Sequence, residues 1–128
     1  MRIFIDHNLS PKIARALQPL FEGKHEVVSL RDKFPINISD KDWIETLSKE
    51  GRWVVISGDL RITKNAAEKQ AFKNSKLIGF FMSPGFFKAG PILHVSRILF
   101  QWRKLEKIIE AMEPGATFQI TETRIKQI

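Results

Sequence analysis

A chain of 128 residues can bury one substantial core but is short for two domains of ordinary size. It contains no cysteine, which excludes disulfides and thiolate metal sites, and its 43% hydrophobic and 27% charged residues match globular proteins. Lysine and arginine number 21 against 14 acidic residues, and the resulting net charge of +7 favours polyanionic partners such as nucleic acid or an acidic protein segment.

The first apolar run, Ile3-Phe4-Ile5, is interrupted at once by Asp6-His7-Asn8, and no run approaches membrane-spanning length. A cytoplasmic protein without signal peptide or membrane anchor is therefore expected. Arg2 to Asp6 predicts a short buried strand, and Ser10-Pro11 predicts the start of a helix whose apolar face is Ile13, Ala14, Ala16, Leu17, Leu20 and Phe21 and which ends at Gly23. His25 to Leu30 reads as a second strand and Arg31 to Ile38 as a loop. Ser39 opens a helix to about Glu50, with Trp43, Ile44 and Leu47 as its buried stripe, and Gly51 ends it. Arg52 to Ser57 is the third strand, followed by a helix from Lys64 to about Lys73 entered through Thr63. Lys76 to Met82 is the fourth strand, and Ser83-Pro84-Gly85 turns the chain. Phe80 and Phe81 are expected in the core, Phe86 and Phe87 partly exposed and suited to a dimer contact. The longest helix spans Pro91 to Met112, and Thr117 to Thr121 reads as a final edge strand. The segment 122–128 is left as a tail of undecided structure on a single domain covering 1–128.

Strands alternating with helices imply an α/β fold whose mostly parallel sheet is covered on both faces. Right-handed crossovers then bring the loops after the first three strands to one edge, where ligands of such sheets bind. Three acids fall there: Asp6 after the first strand, Asp40 at the start of the helix after the second, and Asp59 after the third. Converging carboxylates repel unless a cation lies between them, and Mg²⁺ or Mn²⁺ accepts two or three such hard oxygen ligands. A cation so held polarises phosphoryl oxygens and acidifies water, which makes phosphodiester hydrolysis the natural reaction class.

Each acid also has a structural role available. Asp40 and Asp42 suit the positive end of a helix dipole, Ser39 with Asp42 resembles a capping box, and Asp6 and Asp59 are competent to close turns. Asp42 is assigned to capping and stands with Glu68 as a further acid. Asn8, Ser57, Arg61 and Lys64 are candidate substrate-binding residues beside the three aspartates, with turn formation and surface solvation as their ordinary roles. From Arg61 to Lys88 the cations Arg61, Lys64, Lys69, Lys73, Lys76 and Lys88 face only Glu68. His7, His25 and His94 lack zinc-type spacing and are expected to be non-ligands, with His7 pointing to the strand face opposite Asp6. No nucleotide-binding glycine loop or nucleophile elbow is present.

Ile3-Phe4-Ile5-Asp6-His7-Asn8-Leu9, Ser39-Asp40 opening a helix, and Val54-Val55-Ile56-Ser57-Gly58-Asp59-Leu60-Arg61-Ile62 together resemble PIN-like domains, specifically the VapC-type ribonuclease toxins. The resemblance implies a three-layer α/β/α sandwich, a Mg²⁺ or Mn²⁺ site at Asp6, Asp40 and Asp59, and cleavage of single-stranded RNA. It also implies a cognate antitoxin protein and a homodimer. The chain departs from the family pattern at His7, where relatives often carry an acid, and after Asp59, where no clear fourth carboxylate follows. An inactive PIN-like module that binds RNA or protein is the alternative, and a phosphoacceptor aspartate is a third.

Overall fold

A computed structural model describes residues 1–59 and 61–128; Leu60 and the side chains of Arg61 and Thr63 lie outside the description. The elements in chain order are β1 (Arg2–Ile5), α1 (Pro11–Phe21), β2 (Glu26–Ser29), α2 (Leu30–Lys33), α3 (Asp40–Glu50), β3 (Trp53–Ser57) and α4 (Arg61–Lys64). They continue with α5 (Ala66–Lys73), β4 (Ile78–Met82), α6 (Pro84–Lys88), α7 (Pro91–Phe100), α8 (Trp102–Ala111), β5 (Thr117–Ile120) and β6 (Ile125–Gln127). One sheet runs β2-β1-β3-β4-β5-β6, parallel throughout except for β6, which is antiparallel to β5.

The central strands are apolar on both sides, as strands covered by helices must be. Alternation divides them between two cores: Ile3, Ile5, Val54, Ile56 and Phe80 pack with α1, α7 and α8. Phe4, Val55 and Phe81 pack on the opposite face with Trp43, Ile44 and Leu47 of α3, Ile62 of α4 and Phe72 of α5. The result is a three-layer α/β/α arrangement. Caps start the helices where local chemistry predicts: Ser10 Oγ accepts the Lys12 N–H at 3.2 Å and Ser39 Oγ accepts the Asp42 N–H at 3.1 Å. Gly51 ends α3 with φ 83° while its N–H bonds the Leu47 carbonyl at 2.9 Å. Among the described residues, no helix is long and apolar enough to cross a membrane.

Several boundaries differ from expectation. Leu30 leaves the second strand because Ser29 caps a helical turn, its Oγ accepting the Arg31 N–H at 3.2 Å, within what the sequence presented as loop. The helix expected from Lys64 to Lys73 is divided, because Asn65 Oδ1 caps Ala67 and Glu68 at 3.0 and 3.2 Å and starts α5 afresh. The helix expected from Pro91 to Met112 is broken at Gln101, whose buried side chain donates through Nε2 to the Thr121 carbonyl at 2.8 Å. Thr117–Ile120 is not an edge, since 125–127 of the supposed tail pairs outside it. Phe86 is fully buried and so is no exposed dimer contact, whereas Phe87 remains partly exposed.

Candidate metal and active site

The strand order reverses direction between β1 and β3, so the crevice beyond their C-termini is the topological switch point at which ligands of doubly wound sheets bind. Asp6 leaves β1 there, and its N–H still donates to the Ile56 carbonyl at 3.0 Å. The Leu9 N–H then donates back to the Asp6 carbonyl at 3.1 Å, closing a tight turn over His7 and Asn8. That turn ends the extended geometry one residue earlier than the sequence suggests. His7 therefore does not point away from Asp6; its Nδ1 lies 2.9 Å from Asp6 Oδ1, which also accepts the His7 backbone N–H at 2.6 Å.

The other Asp6 oxygen is held from β3. Ser57 Oγ donates to Asp6 Oδ2 at 2.8 Å and accepts the Asp59 N–H at 2.9 Å. Asn8 Oδ1 accepts the Gly58 N–H at 3.2 Å, a second tie between the two strand ends. Ser57 and Asn8 thus lock the loops after β1 and β3 together. Gly58 lets the Phe87 ring lie against it: a Cβ there would meet that ring, and the partly exposed Phe87 side chain would have to turn aside. Burial pushes the Asp6 carboxyl above its ordinary pKa, against the lowering effect of the Ser57 and His7 hydrogen bonds.

Asp40 enters from the first turn of α3. Its Oδ1 accepts the indole N–H of Trp43 at 3.0 Å, and that ring is fully buried beside Phe4, their centroids 5.1 Å apart. The carboxylate is thereby oriented by a core residue. Ligand atoms of Asp6, His7 and Asp40 all lie within 4.8 Å of one another. Asp59 is buried but stands outside this group, linked to Asp6 through the Ser57 hydroxyl. Asp42 is exposed, and its N–H serves the α3 cap. Asp40 also lines a cleft of about 430 Å³ with Lys64, Asn65 and Glu68. The Arg61 side chain lies outside the described residues.

Sequence reasoning sets His7 aside, does not single out Asn65, and reads Phe87 as a dimer contact rather than as the ring packed on Gly58. The signal for His7 was its adjacency to Asp6 just before an Asn-Leu-Ser-Pro turn; for Phe87 we find none. Two carboxylates and an imidazole fit a hard or borderline divalent cation. Replacing Trp43 by Phe keeps most of the core contact but removes the bond to Asp40. Mn²⁺ affinity measured by calorimetry should fall about 10–100-fold, the usual effect of removing a partner that orients a ligand; unchanged affinity would mean Trp43 does not position Asp40.

A doubly wound α/β sheet with acids gathered at its switch point defines the class. The family model described as "PIN like domain" matches residues 1–84, and the chain belongs to this family, whose members are commonly nucleases using divalent metals. Comparison with curated proteins and with solved structures returned no match.

Proposed function

We propose that this protein is a metal-dependent endoribonuclease that hydrolyses phosphodiester bonds of single-stranded RNA, acting in the cytoplasm as the toxin of a type II toxin–antitoxin pair. The observation that carries the proposal is the convergence of Asp6, His7 and Asp40 at the switch point of a PIN-like fold. The VapC-type pattern at the ends of β1 and β3 supports the toxin assignment. Residues 1–128 act as one unit, because β5 and β6, beyond the matched segment, extend the same sheet.

In this proposal Asp6 and Asp40 hold Mg²⁺ or Mn²⁺ with His7 beside them, and Asp59, tied to Asp6 through Ser57, is the further acid supplied from the end of β3. When bound, the cation polarises a phosphoryl oxygen and lowers the pKa of attacking water. Ser57 keeps the Asp6 carboxylate aimed into the crevice, and Asn8 fixes the loop that carries Asp59. Lys64, exposed on the rim of the Asp40 cleft, and Arg61 neutralise the RNA backbone. Burial of Asp6 keeps bulk water from its inner side, which strengthens every charge interaction there.

One observation favours a second reading, a PIN-like module that binds without cutting. Asp6 already has three polar contacts, from the His7 N–H, His7 Nδ1 and Ser57 Oγ, leaving little of its coordinating capacity free. Cleavage assays separate the two. The nuclease cuts single-stranded RNA in Mn²⁺ or Mg²⁺ and stops in EDTA, and Asp59→Asn abolishes cutting while preserving fold and RNA affinity. If Asp59→Asn cuts as fast as the parent, Asp59 is no part of the site; if the parent binds RNA but neither cuts it nor takes up Mn²⁺, the binding module is correct.

A further inference from the structure

At the far side of the sheet, Lys104 and Lys107 of α8, Arg124 of the β5–β6 turn and Lys126 of β6 line a cleft of about 590 Å³ with Ile108, Gln119, Thr121 and Ile125. No acidic side chain is among the residues lining it, and none of its four cations makes an ion pair among the described residues. The turn that presents Arg124 is fixed: the Arg124 N–H donates to Thr121 Oγ1 at 2.9 Å and the Thr121 N–H donates to the Arg124 carbonyl at 2.8 Å. The cleft lies wholly outside the segment matched by the family.

Its placement relative to the acidic site follows from strand register. Ser57 pairs with Phe81, Phe81 with Gln119, and Gln119 with Lys126, so one row of the sheet leads from the Asp6–Ser57 hydrogen bond to the cleft. Asp6 stands on β1, one strand beyond Ser57, so four strand spacings put the β6 end of the cleft about 19 Å from Asp6, with Lys104 and Lys107 on the α8 face of the sheet, opposite the α3 face that carries Asp40. Clustered aspartates repel a polyanion, so the binding energy for an RNA strand must come from cations away from the point of cutting. Four like charges in one cleft also repel each other, and a phosphodiester chain relieves that repulsion.

We propose that the Lys104–Lys107–Arg124–Lys126 cleft holds the phosphate backbone of single-stranded RNA several nucleotides away from the phosphate at Asp6 and Asp40. The inference rests on the nuclease reading for the position of the scissile phosphate, but not for the binding itself. A separation of about 19 Å lies within the footprints of about 4–16 nucleotides seen for single-strand grooves.

The test compares the parent with Lys107→Glu/Arg124→Glu, both exposed positions, using fluorescence anisotropy of a labelled oligouridylate of about 20 nucleotides in EDTA. Affinity should fall about tenfold or more at low salt, and the slope of log K against log salt should shrink by about 1.4, two contacts at about 0.7 each. With Mn²⁺, the variant should cut a dinucleotide, which is too short to reach the cleft, as the parent does and the longer RNA more slowly. Unchanged affinity and slope overturn the proposal. So does a variant that keeps RNA affinity but loses binding of polyglutamate, because the cleft would then serve an acidic protein. If the parent cuts no RNA yet the reversal weakens RNA binding, the cleft stands and the nuclease reading falls; the opposite pattern separates them the other way.

Discussion

Replacing Asp6 by Asn should lower RNA cleavage by more than about a hundredfold, beyond the about 10–100-fold losses seen when only an outer partner of a metal ligand is removed. The fold fixes Asp6 through both strands at the switch point. β1 places it, the His7 turn holds Oδ1, and Ser57 of β3 holds Oδ2. An asparagine there preserves size and much of the hydrogen bonding, so loss of activity would report the missing charge rather than a collapsed loop. Thermal unfolding provides the control. Mn²⁺ should raise the Tm of the parent, because a ligand that binds only the folded state stabilises it, and should leave the variant's Tm unmoved. Retention of cleavage within about tenfold of the parent would remove Asp6 from the chemistry.

Gly115→Ala should be among the most damaging single substitutions for stability, costing about 2–5 kcal/mol. Gly115 has φ 92°, and a Cβ there would be driven into the backbone carbonyl of Lys73, the last residue of α5. The obstacle is backbone rather than a side chain that could turn aside, and the Gly115 turn is itself held. The Gly115 N–H donates to the Leu77 carbonyl at 2.7 Å, and the Ala116 carbonyl accepts the Gly79 N–H at 3.0 Å, so this turn docks β5 onto β4. Backbone strain of roughly 1–2 kcal/mol is thus added to overpacking of roughly 1–3 kcal/mol. Gly23 is the internal comparison, with φ 83° and nothing within 4 Å of the added carbon. Gly23→Ala should show the strain alone. Circular dichroism melts should place Gly115→Ala about 10 °C or more below the parent; equal losses at the two glycines would mean the Lys73 contact is unimportant.

The parts of this fold that could be read from the sequence are those decided locally. Continuous apolar runs mark β1, β3 and β4, and Ser10 and Ser39 announce their helices because a hydroxyl one residue before a helix has a fixed partner. Asp6 and Asp59 were visible as site candidates because each terminates a buried strand. What escaped depends on distant atoms. Gln101 breaks a helix of unbroken amphipathic spacing because its amide reaches Thr121, twenty residues on. β6 carries too little apolar pattern to be recognised, and exists because the β5 edge offers it hydrogen bonds. His7 was misjudged for a different reason: strand periodicity was extended one residue past the last strand residue, and a single turn reverses where a side chain points. Phe86 and Phe87 share a chemical character, yet one fills the core and the other covers Gly58, a distinction set by the α6 turn they occupy.

The central claim is that the gathered acids share a cation, and a Mn²⁺-soaked crystal examined by anomalous scattering tests it most directly. The account predicts a Mn²⁺ peak in contact with Asp6 and Asp40 beside His7, lost in Asp6→Asn. A crystal that shows no anomalous density at these side chains, in protein that still cleaves RNA, would contradict it.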